Sequence, residues 1–335
     1  MVFYTGQQLS YIKVPNIIIT MSLYATGLNA WSQLDFDTTK KDQQPDDIFT
    51  FTCLLEDKDI DYIRPFPSYT LVYTTTTPFS PTYTAGLVPK LHQQLSTSYP
   101  DHYHHFAEAS NDIVVVPNHP TNPHPLQYPS LTTLLSPSSQ PISYPALHLS
   151  QISPYATGFL ALSPPPESHV LSWGDPRYPP LLSRPCSPSQ PPHHPHPIPD
   201  LSYLPTGPVT KLSSSPSGYL VAALTAGHDL YLWGHPSRCS TWYPDIPDSP
   251  EPVVMGDDSE KDIKDVAVGQ SHVLVLTTDG EIWGRGDNSS GQLGLGRETK
   301  LVTEWTRLKG EFDHDKKKIK GVWAGERNSF VVVQP

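Results

Sequence analysis

The stretch from Ser271 to Gly296 constrains the fold more than any other part of this 335-residue chain. It reads SHVLVLTTDGEIWGRGDNSSGQLGLG, so two apolar, extended segments flank Asp279 and Gly280, and a glycine-rich tail follows. An Asp-Gly pair between two such segments predicts a tight hairpin with a type I′ turn, because this turn needs positive φ at both central residues. The expected unit is therefore strand, turn, strand and glycine-rich loop.

Together with its lead-in, residues 265–269, this unit resembles a repeat of the regulator of chromosome condensation family. The framework positions that carry the resemblance are Gly269, His272, Asp279, Gly280, Trp283, Gly284, Asn288, Gly291, Gln292, Leu293 and Gly294. The resemblance implies a β-propeller, in which His272 has a packing and hydrogen-bonding role. Asp287 and the intruding Arg285-Gly286 depart from the family pattern, so even this copy is imperfect.

Half a unit stands near each end of the sequence. Residues 22–34 resemble the second half of the repeat, with Ser-Gln-Leu where the pattern has Gly-Gln-Leu, and residues 319–333 resemble the first half. Pairing the first strand with the last would close a ring and remove the open edges that invite aggregation. We therefore expect an all-β propeller closed by its N- and C-terminal strands.

Eroded copies of the unit run through the middle of the chain. Weaker copies occur at residues 60–75 and 106–116, and Trp-Gly pairs recur 60 and 50 residues apart at Trp173-Gly174, Trp233-Gly234 and Trp283-Gly284. This spacing is typical of propeller blades and predicts a single propeller of six or seven blades. We expect the tryptophans to be buried between blades beside glycines that let the chain turn, with a tryptophan lining a rim as the alternative.

Several stretches do not fit a compact blade. Residues 117–145 and 185–199 are rich in proline and histidine, which predicts mobile, extended loop insertions. The acidic stretch at residues 42–61 predicts a long loop between strands. Residues 1–20 show no repeat character, so we interpret them as a loose extension or a gene-model artefact, with the propeller at residues 21–335.

The composition excludes some classes of function. The chain carries 39 prolines and a formal net charge of −11, which argues against a nucleic-acid footprint, since phosphate contacts need clustered Lys and Arg. Cys53, Cys186 and Cys239 lie far apart, without the spacing of a metal site or a disulfide framework. No stretch reaches the length of a membrane span. We expect a monomeric protein that is soluble and not secreted, located in the cytoplasm, with the nucleus as a further location.

The sequence offers few groups for chemistry. His193, His194 and His196, and separately His102, His104 and His105, could hold a metal, but proline-separated histidines in a loop lack fixed geometry, and we expect none to bind metal. The Lys316–Lys318 run is neutralised by nearby acidic residues and is typical of a solvated hairpin. No Ser or Cys nucleophile with a partnered acid accompanies His272. We therefore expect no catalytic residue and no cofactor; a hydrolase would need a cluster of acid, base and nucleophile at the central channel.

The expected function is that of a non-catalytic protein-interaction module. Within the family, the compact size and eroded repeats are most similar to the fungal alpha-tubulin suppressor proteins. That resemblance implies a small iron- or zinc-binding electron carrier as partner, in diphthamide synthesis and tRNA wobble-uridine modification. The alternative is a guanine-nucleotide exchange factor for a Ran-type small GTPase, which a basic chromatin-binding tail and well-preserved repeats would have favoured.

The polar residues that follow each Trp-Gly pair are the candidates for the binding face. Equivalent blades would bring these loops together on one rim, and binding residues tend to lie on loops held by a rigid scaffold. The candidates are Asp175, Arg177, His235, Arg238, Asp287 and Asn288. A role in forming the turn is the competing interpretation of Asp287 and Asn288.

Overall fold

A computed structural model describes most of the chain. The described residues are 20–37, 45–77, 80–98, 106–109, 113–115, 124–136, 138, 140–255, 261–313 and 318–334. The interpretation of residues 1–20 as an extension or artefact concerns a segment that lies, except for its last residue, outside this described part. None of the described helices is both long enough and apolar enough to cross a membrane.

The described residues form six antiparallel sheets, and one of them joins strands from near both ends of the chain. The closing sheet consists of β22 (Lys318–Ala324), β23 (Asn328–Gln334), β1 (Met21–Gly27) and β2 (Ile48–Asp57), in order from the axis outward. Beside it stands a three-stranded sheet of β3 (Tyr62–Pro65), β4 (Tyr69–Tyr73) and β5 (Tyr83–Gly86).

The other four sheets follow the chain in order. They are β6 (Phe106–Glu108), β7 (Ile113–Val115), β8 (Leu126–Tyr128) and β9 (Ile142–Ser143); β10 (Gln151–Tyr155), β11 (Gly158–Leu162), β12 (Val170–Gly174) and β13 (His196–Pro197); β14 (Val209–Ser214), β15 (Leu220–Thr225), β16 (Leu230–Gly234) and β17 (Glu251–Pro252); and β18 (Ile263–Val268), β19 (His272–Thr277), β20 (Ile282–Asp287) and β21 (Leu301–Leu308).

Short helices occupy some of the connections. They are α1 (Lys90–Ser98), α2 (Leu131–Leu134), α3 (Pro179–Leu182) and α4 (Pro236–Cys239), with 3₁₀ turns at Pro199–Leu201 and Glu311–Asp313. Strands β11, β15 and β19 are buried at every position. Each of these strands is covered on both faces, because its sheet packs between two neighbours in the ring, and its sequence is accordingly a continuous apolar run.

The number of blades differs from the expectation. Five of the sheets have the four strands of a complete blade, and the sheet of β3 to β5 has only three within the described residues. The prediction of six or seven blades is therefore wrong: the all-β propeller has five four-stranded blades. After β5 the described chain continues into α1, and no fourth strand of this sheet lies within the described residues. No helical periodicity in the sequence was strong enough to predict this helix.

The ring closes through the two chain ends, as the half-units predicted. β1 pairs antiparallel with β23, in a register that runs from Ser22 opposite Val333 to Gly27 opposite Asn328, and β1 pairs with β2 on its other side. Leu23, Phe330 and Val332 from these strands are buried in one apolar cluster. The closure therefore combines a complete hydrogen-bonded ladder with core packing.

Parts of the proline-rich stretches, where mobile loop insertions were expected, form strands of the sheets. Residues 126–128 and 142–143 are β8 and β9, while residues 117–123 lie outside the described residues. The stretch at 185–199 supplies β13 and is held by Arg184, whose buried guanidinium donates to the carbonyls of Ser172, Pro191 and His194 at 3.1, 3.0 and 2.9 Å. Prolines leave carbonyls without a neighbouring donor, and the five N–H groups of one arginine can satisfy several of them.

Two local predictions also fail. The acidic stretch at 42–61 contains the ten-residue strand β2, because its alternating aromatic and β-branched residues outweigh its charges; residues 42–44 lie outside the described part. The hairpin at Asp279-Gly280 is not type I′, since Gly280 alone has positive φ there and its N–H donates to the Thr277 carbonyl at 3.1 Å. This geometry belongs to a three-residue hairpin loop with glycine in the left-handed position.

Polar side chains tie the innermost strands to one another around the axis. Gln151 exchanges two hydrogen bonds with the backbone of Leu212, at 2.7 and 2.9 Å, and Arg64 donates to the Phe106 carbonyl at 2.6 Å. Lys320 donates to the Ile60 carbonyl at 2.7 Å. These contacts join neighbouring sheets where apolar packing ends at the central cavity, which has a volume of about 890 Å³.

Candidate functional site

The loops that follow the first and third strands of each sheet lie on one face of the ring, because successive strands are antiparallel. We call this the loop face. It carries the segments that follow Gly174 and Gly234, and the segment from Asn288 to Lys300. All six residues predicted for a binding rim therefore lie on or beside this face.

Four of the predicted residues gather at the junction of the β10–β13 and β14–β17 sheets. They are joined there by two tyrosines that the sequence did not single out. We call this group the rim cluster; it consists of Asp175, Arg177, Tyr178, Tyr219, His235 and Arg238.

Rings form the centre of the rim cluster. Tyr178 lies 5.5 Å from Tyr219 and 5.4 Å from His235, measured between ring centroids. The Arg238 guanidinium lies 5.3 Å from the centroid of the Tyr219 ring, in cation–π geometry. Burial, and then the neighbouring Tyr178, raise the pKa of Tyr219, so its hydroxyl stays protonated near neutral pH. The cluster thus presents half-buried rings beneath an exposed cation.

The charged edge of the rim cluster is the pair of Arg177 and Asp175. The Arg177 guanidinium donates to both carboxylate oxygens of Asp175, from Nε to Oδ1 at 3.0 Å and from Nη2 to Oδ2 at 2.6 Å. These hydrogen bonds hold the pKa of Asp175 below its usual range. Because the Arg177 side chain is still 82% exposed, it can receive an acidic group from outside.

A cavity of about 470 Å³ opens beside the rim cluster. Its wall includes Thr157, Trp173, His193 and Tyr219. The Thr157 hydroxyl is buried and has no hydrogen-bond partner among the described residues. A groove with aromatic walls and a few polar groups can receive a side chain of a docking partner.

The two other predicted rim residues are used inside their own loop. Asn288 is buried; its amide nitrogen donates to the Gly296 and Thr299 carbonyls at 3.1 and 2.6 Å, and its amide oxygen accepts from Leu293 N. Asp287 accepts from the Ser289 backbone N–H at 2.9 Å and from the Gln292 amide at the same distance. These contacts correspond to the turn-forming interpretation of both residues.

The glycine-rich loop fastens one sheet to the next. The Thr26 hydroxyl of the closing sheet donates to the Gly291 carbonyl at 2.7 Å, and the Ser329 hydroxyl donates to the Gln292 carbonyl at 2.5 Å. The proton of Ser329 is then already used, so His272 Nε2–H must be the donor in its 3.0 Å contact with the Ser329 oxygen. Burial lowers the pKa of His272 to about 4, so it is a neutral, structural imidazole near neutral pH.

The tryptophans of the Trp-Gly pairs do not occupy equivalent environments. Trp173 and Trp233 are buried, and the Trp173 indole donates to the Gln127 side chain at 2.8 Å. Trp283 is only half-buried and donates to Glu281 at 3.1 Å. Packing between sheets therefore accounts for the first two, while Trp283 lies nearer the edge.

The central cavity contains a hydrogen-bonded chain that sequence reasoning missed. Tyr69 O–H lies 2.5 Å from His92 Nδ1, and His92 Nε2 lies 3.2 Å from a carboxylate oxygen of Glu108. Tyr69 opposes Gly86 as His272 opposes Gly286, so a tyrosine stands at the repeat's histidine position and the imidazole comes from α1. His92 is paired with a buried tyrosine instead of a Ser or Cys nucleophile, and its contacts dock α1 against the sheet.

The histidine-rich loop and the cysteines show no assembled metal site. No group of three His, Cys, Asp or Glu residues in the described part of the chain could hold a metal ion. His102, His104 and His105 lie outside that part, as do Lys316 and Lys317. Cys53, Cys186 and Cys239 are free thiols, and burial raises the pKa of Cys239 to about 12.

Comparisons with known proteins agree with this architecture. Residues 263–292 match the family model of the regulator of chromosome condensation (RCC1) repeat. Human WBSCR16 is 15% identical and has a TM-score of 0.58, over 94% of this chain and 98% of that one. Prp20p from Saccharomyces cerevisiae is 14% identical and has a TM-score of 0.50, over 93% of this chain and 91% of that one. At these identities the two structures share the fold with this chain.

Proposed function

Because this chain carries a regulator of chromosome condensation repeat at residues 263–292 and has the same fold as other propellers of this kind, we propose that it is a protein-interaction module that docks its partner through the rim cluster. The fold itself hosts many activities, so the function must be argued from the surface. The proposal includes the absence of catalysis, a cytoplasmic location and, as a further location, the nucleus.

The single observation that carries the proposal is the arrangement of rings and cations at the rim. Tyr178, Tyr219 and His235 form a preassembled, half-buried platform, and Arg238 and Arg177 stand at its exposed edge. Tyrosine and arginine are enriched among the residues that contribute most to binding energy, particularly beside a pocket that the partner can fill. The exposed arginines favour a partner that presents carboxylates.

The proposed partner is a small metal-binding electron carrier, in diphthamide synthesis and tRNA wobble-uridine modification. This finer assignment rests on the resemblance to the alpha-tubulin suppressor proteins. The metal would belong to the partner. The rim cluster would then position the carrier, and the propeller would contribute no redox group of its own.

The alternative is guanine-nucleotide exchange on a Ran-type small GTPase. The structural likeness to Prp20p favours it, since the crystal structure of that protein was described together with its binding properties to Gsp1p and histones. Both candidates use a protein partner, and binding measurements with purified proteins separate them.

The test is calorimetry of the purified chain against a recombinant electron carrier and against a recombinant Ran-type GTPase. Arg238→Glu should weaken binding of the carrier by about tenfold or more, the usual effect of losing a contributing arginine. The matched control is Lys309→Glu, which makes the same charge change at an exposed position following β21, on the opposite face. Equal losses in both variants, or none in either, would refute the rim as the docking site. Binding and exchange with the GTPase alone would favour the alternative.

A further inference from the structure

A second exposed patch lies on the loop face, at the junction of the closing sheet and the three-stranded sheet. It consists of Trp31, Leu87 and Leu91, which are 53%, 59% and 40% exposed; we call it the Trp31 surface. Two contacts bring its segments together: the Gln33 amide donates to the Pro67 carbonyl at 3.3 Å, and Leu87 N donates to the Ser68 carbonyl at 2.8 Å. Large exposed apolar side chains that are grouped together mark interaction sites more often than scattered ones.

The turn that carries Trp31 has the same hydrogen bonds as its counterpart in the intact repeat. The Asn29 side chain accepts from Leu34 N at 2.8 Å, and the Gln33 side chain accepts from Trp31 N at 2.8 Å. In the intact repeat, Asn288 accepts from Leu293 N at 2.8 Å, and Gln292 accepts from Ser290 N at 3.0 Å.

Trp31 therefore occupies the position of Ser290, which is only 7% exposed. A small serine is sufficient to build the turn, so the turn itself does not require tryptophan. A half-exposed indole contributes little to the stability of the fold through burial, and its apolar surface remains available for contact with another molecule.

Carboxylates surround one side of the Trp31 surface. Asp35 and Asp37 follow the turn directly, and Asp47 accepts a hydrogen bond from Asn29 N at 2.9 Å. Asp46 lies next to Asp47 and pairs with the Arg297 guanidinium at 2.8 Å. The apolar patch thus has an acidic border that would attract a basic group and repel an acidic one.

We propose that the Trp31 surface docks an amphipathic helical segment of a partner protein, with Leu-type residues on Trp31, Leu87 and Leu91 and basic residues on Asp35 and Asp47. Apolar anchors placed at helical spacing are the usual way in which a helix fills such a surface. The surface is distinct from the rim cluster, because the β6–β9 sheet separates the two in one direction around the ring and the β18–β21 sheet separates them in the other. The inference therefore goes beyond the proposed docking at the rim and does not depend on it.

The charge pattern selects this occupant over a second copy of the chain. The net charge of −11 makes two copies repel each other, and the acidic border of one copy would face an equally acidic border on the other in a symmetric contact. A basic amphipathic segment avoids both the repulsion between two negatively charged copies and the repulsion between two acidic borders. Trp31 is the central anchor, and Leu87 and Leu91 exclude water around it.

The test uses a fluorescent synthetic amphipathic helix of leucine and lysine, and the same helix with glutamate in place of lysine, titrated with the full chain. Trp31→Ser introduces the residue found at this position in the intact repeat, so the variant should melt as the parent does. We expect it to bind the lysine helix about tenfold or more weakly than the parent. Ile142→Ser, which removes an exposed apolar side chain from another sheet, should bind as the parent does.

Three results would overturn the proposal. The first is equal binding of the lysine helix by the parent and by Trp31→Ser. The second is binding of the glutamate helix as tight as that of the lysine helix. The third is self-association of the parent in sedimentation that Trp31→Ser abolishes, which would assign the surface to a second copy of the chain.

Discussion

Acidification should destabilise this propeller through the buried imidazole of His272 before its carboxylates begin to titrate. His272 is fully buried, and burial lowers its pKa from the ordinary 6.5 to about 4. Below pH 6.5 the unfolded chain binds a proton that the folded chain excludes, so the free energy of unfolding falls as the pH falls toward 4. One pKa unit corresponds to about 1.4 kcal/mol, which gives a loss of about 2 kcal/mol between pH 7 and pH 5.

The measurement is urea unfolding followed by tryptophan fluorescence, at pH 7 and pH 5, for the parent and for His272→Gln. Glutamine can still donate to the Ser329 hydroxyl but does not titrate, so the variant should lose about 2 kcal/mol less than the parent on acidification. Asp279 and Glu281 also have lowered pKa values, from hydrogen bonds, but their stabilisation is lost only below their ordinary pKa values near 4. The control is the exposed His169→Gln. An unchanged pH dependence in His272→Gln would refute the argument.

The remaining predictions concern the fold, and urea unfolding measures each of them. Gly291→Ala should lower the free energy of unfolding by about 3 kcal/mol, because the added Cβ would lie 2.5 Å from a backbone carbonyl oxygen. Gly296→Ala, which has a similar positive φ but open space around it, should lower it by only about 1 kcal/mol. Equal losses in the two variants would show that the structure relieves the clash at Gly291. Arg184→Met should lower the free energy of unfolding by about 3 kcal/mol, because several buried carbonyls lose their hydrogen-bond donor. A smaller loss than in Arg307→Met would show that these hydrogen bonds do not stabilise the fold. Val331→Pro should lower the free energy of unfolding by about 3 kcal/mol or more, because β23 has hydrogen-bonded partners on both sides. A variant as stable as the parent would show that pairing of β23 is not needed for the fold.

The repeat pattern predicts the local backbone framework well, because the residue types at its positions are required by local steric constraints. A Cβ on Gly269 would lie 2.0 Å from the His272 ring, so glycine and histidine must occur together. The Trp-Gly pairs predicted equivalent loops, and the structure does place Asp175, Arg177, His235 and Arg238 at one junction.

The failures have two physical causes. One is local competition: in β2 the β-propensity of residues such as Phe49 and Phe51 outweighs the charges on which the loop prediction depended. The other is distance along the chain. In the copy at residues 60–75 the local pattern shows Tyr69 in place of the repeat's histidine, but it does not show that the hydrogen-bonding imidazole is His92, 23 residues later on a helix. Tyr219 was missed because the apolar strand that follows it gave the stronger signal.

The closing sheet determines when the protein can finish folding. β1 lies between β2 and β23, and its partner residues in β23 follow about 300 positions later. During synthesis, one edge of β1 stays unpaired until about 300 further residues have been made, while sheets such as that of β14 to β17 can form from neighbouring residues. The propeller therefore closes by pairing β1 with a strand made about 300 residues later, and the unpaired edge of β1 needs protection against aggregation during that interval.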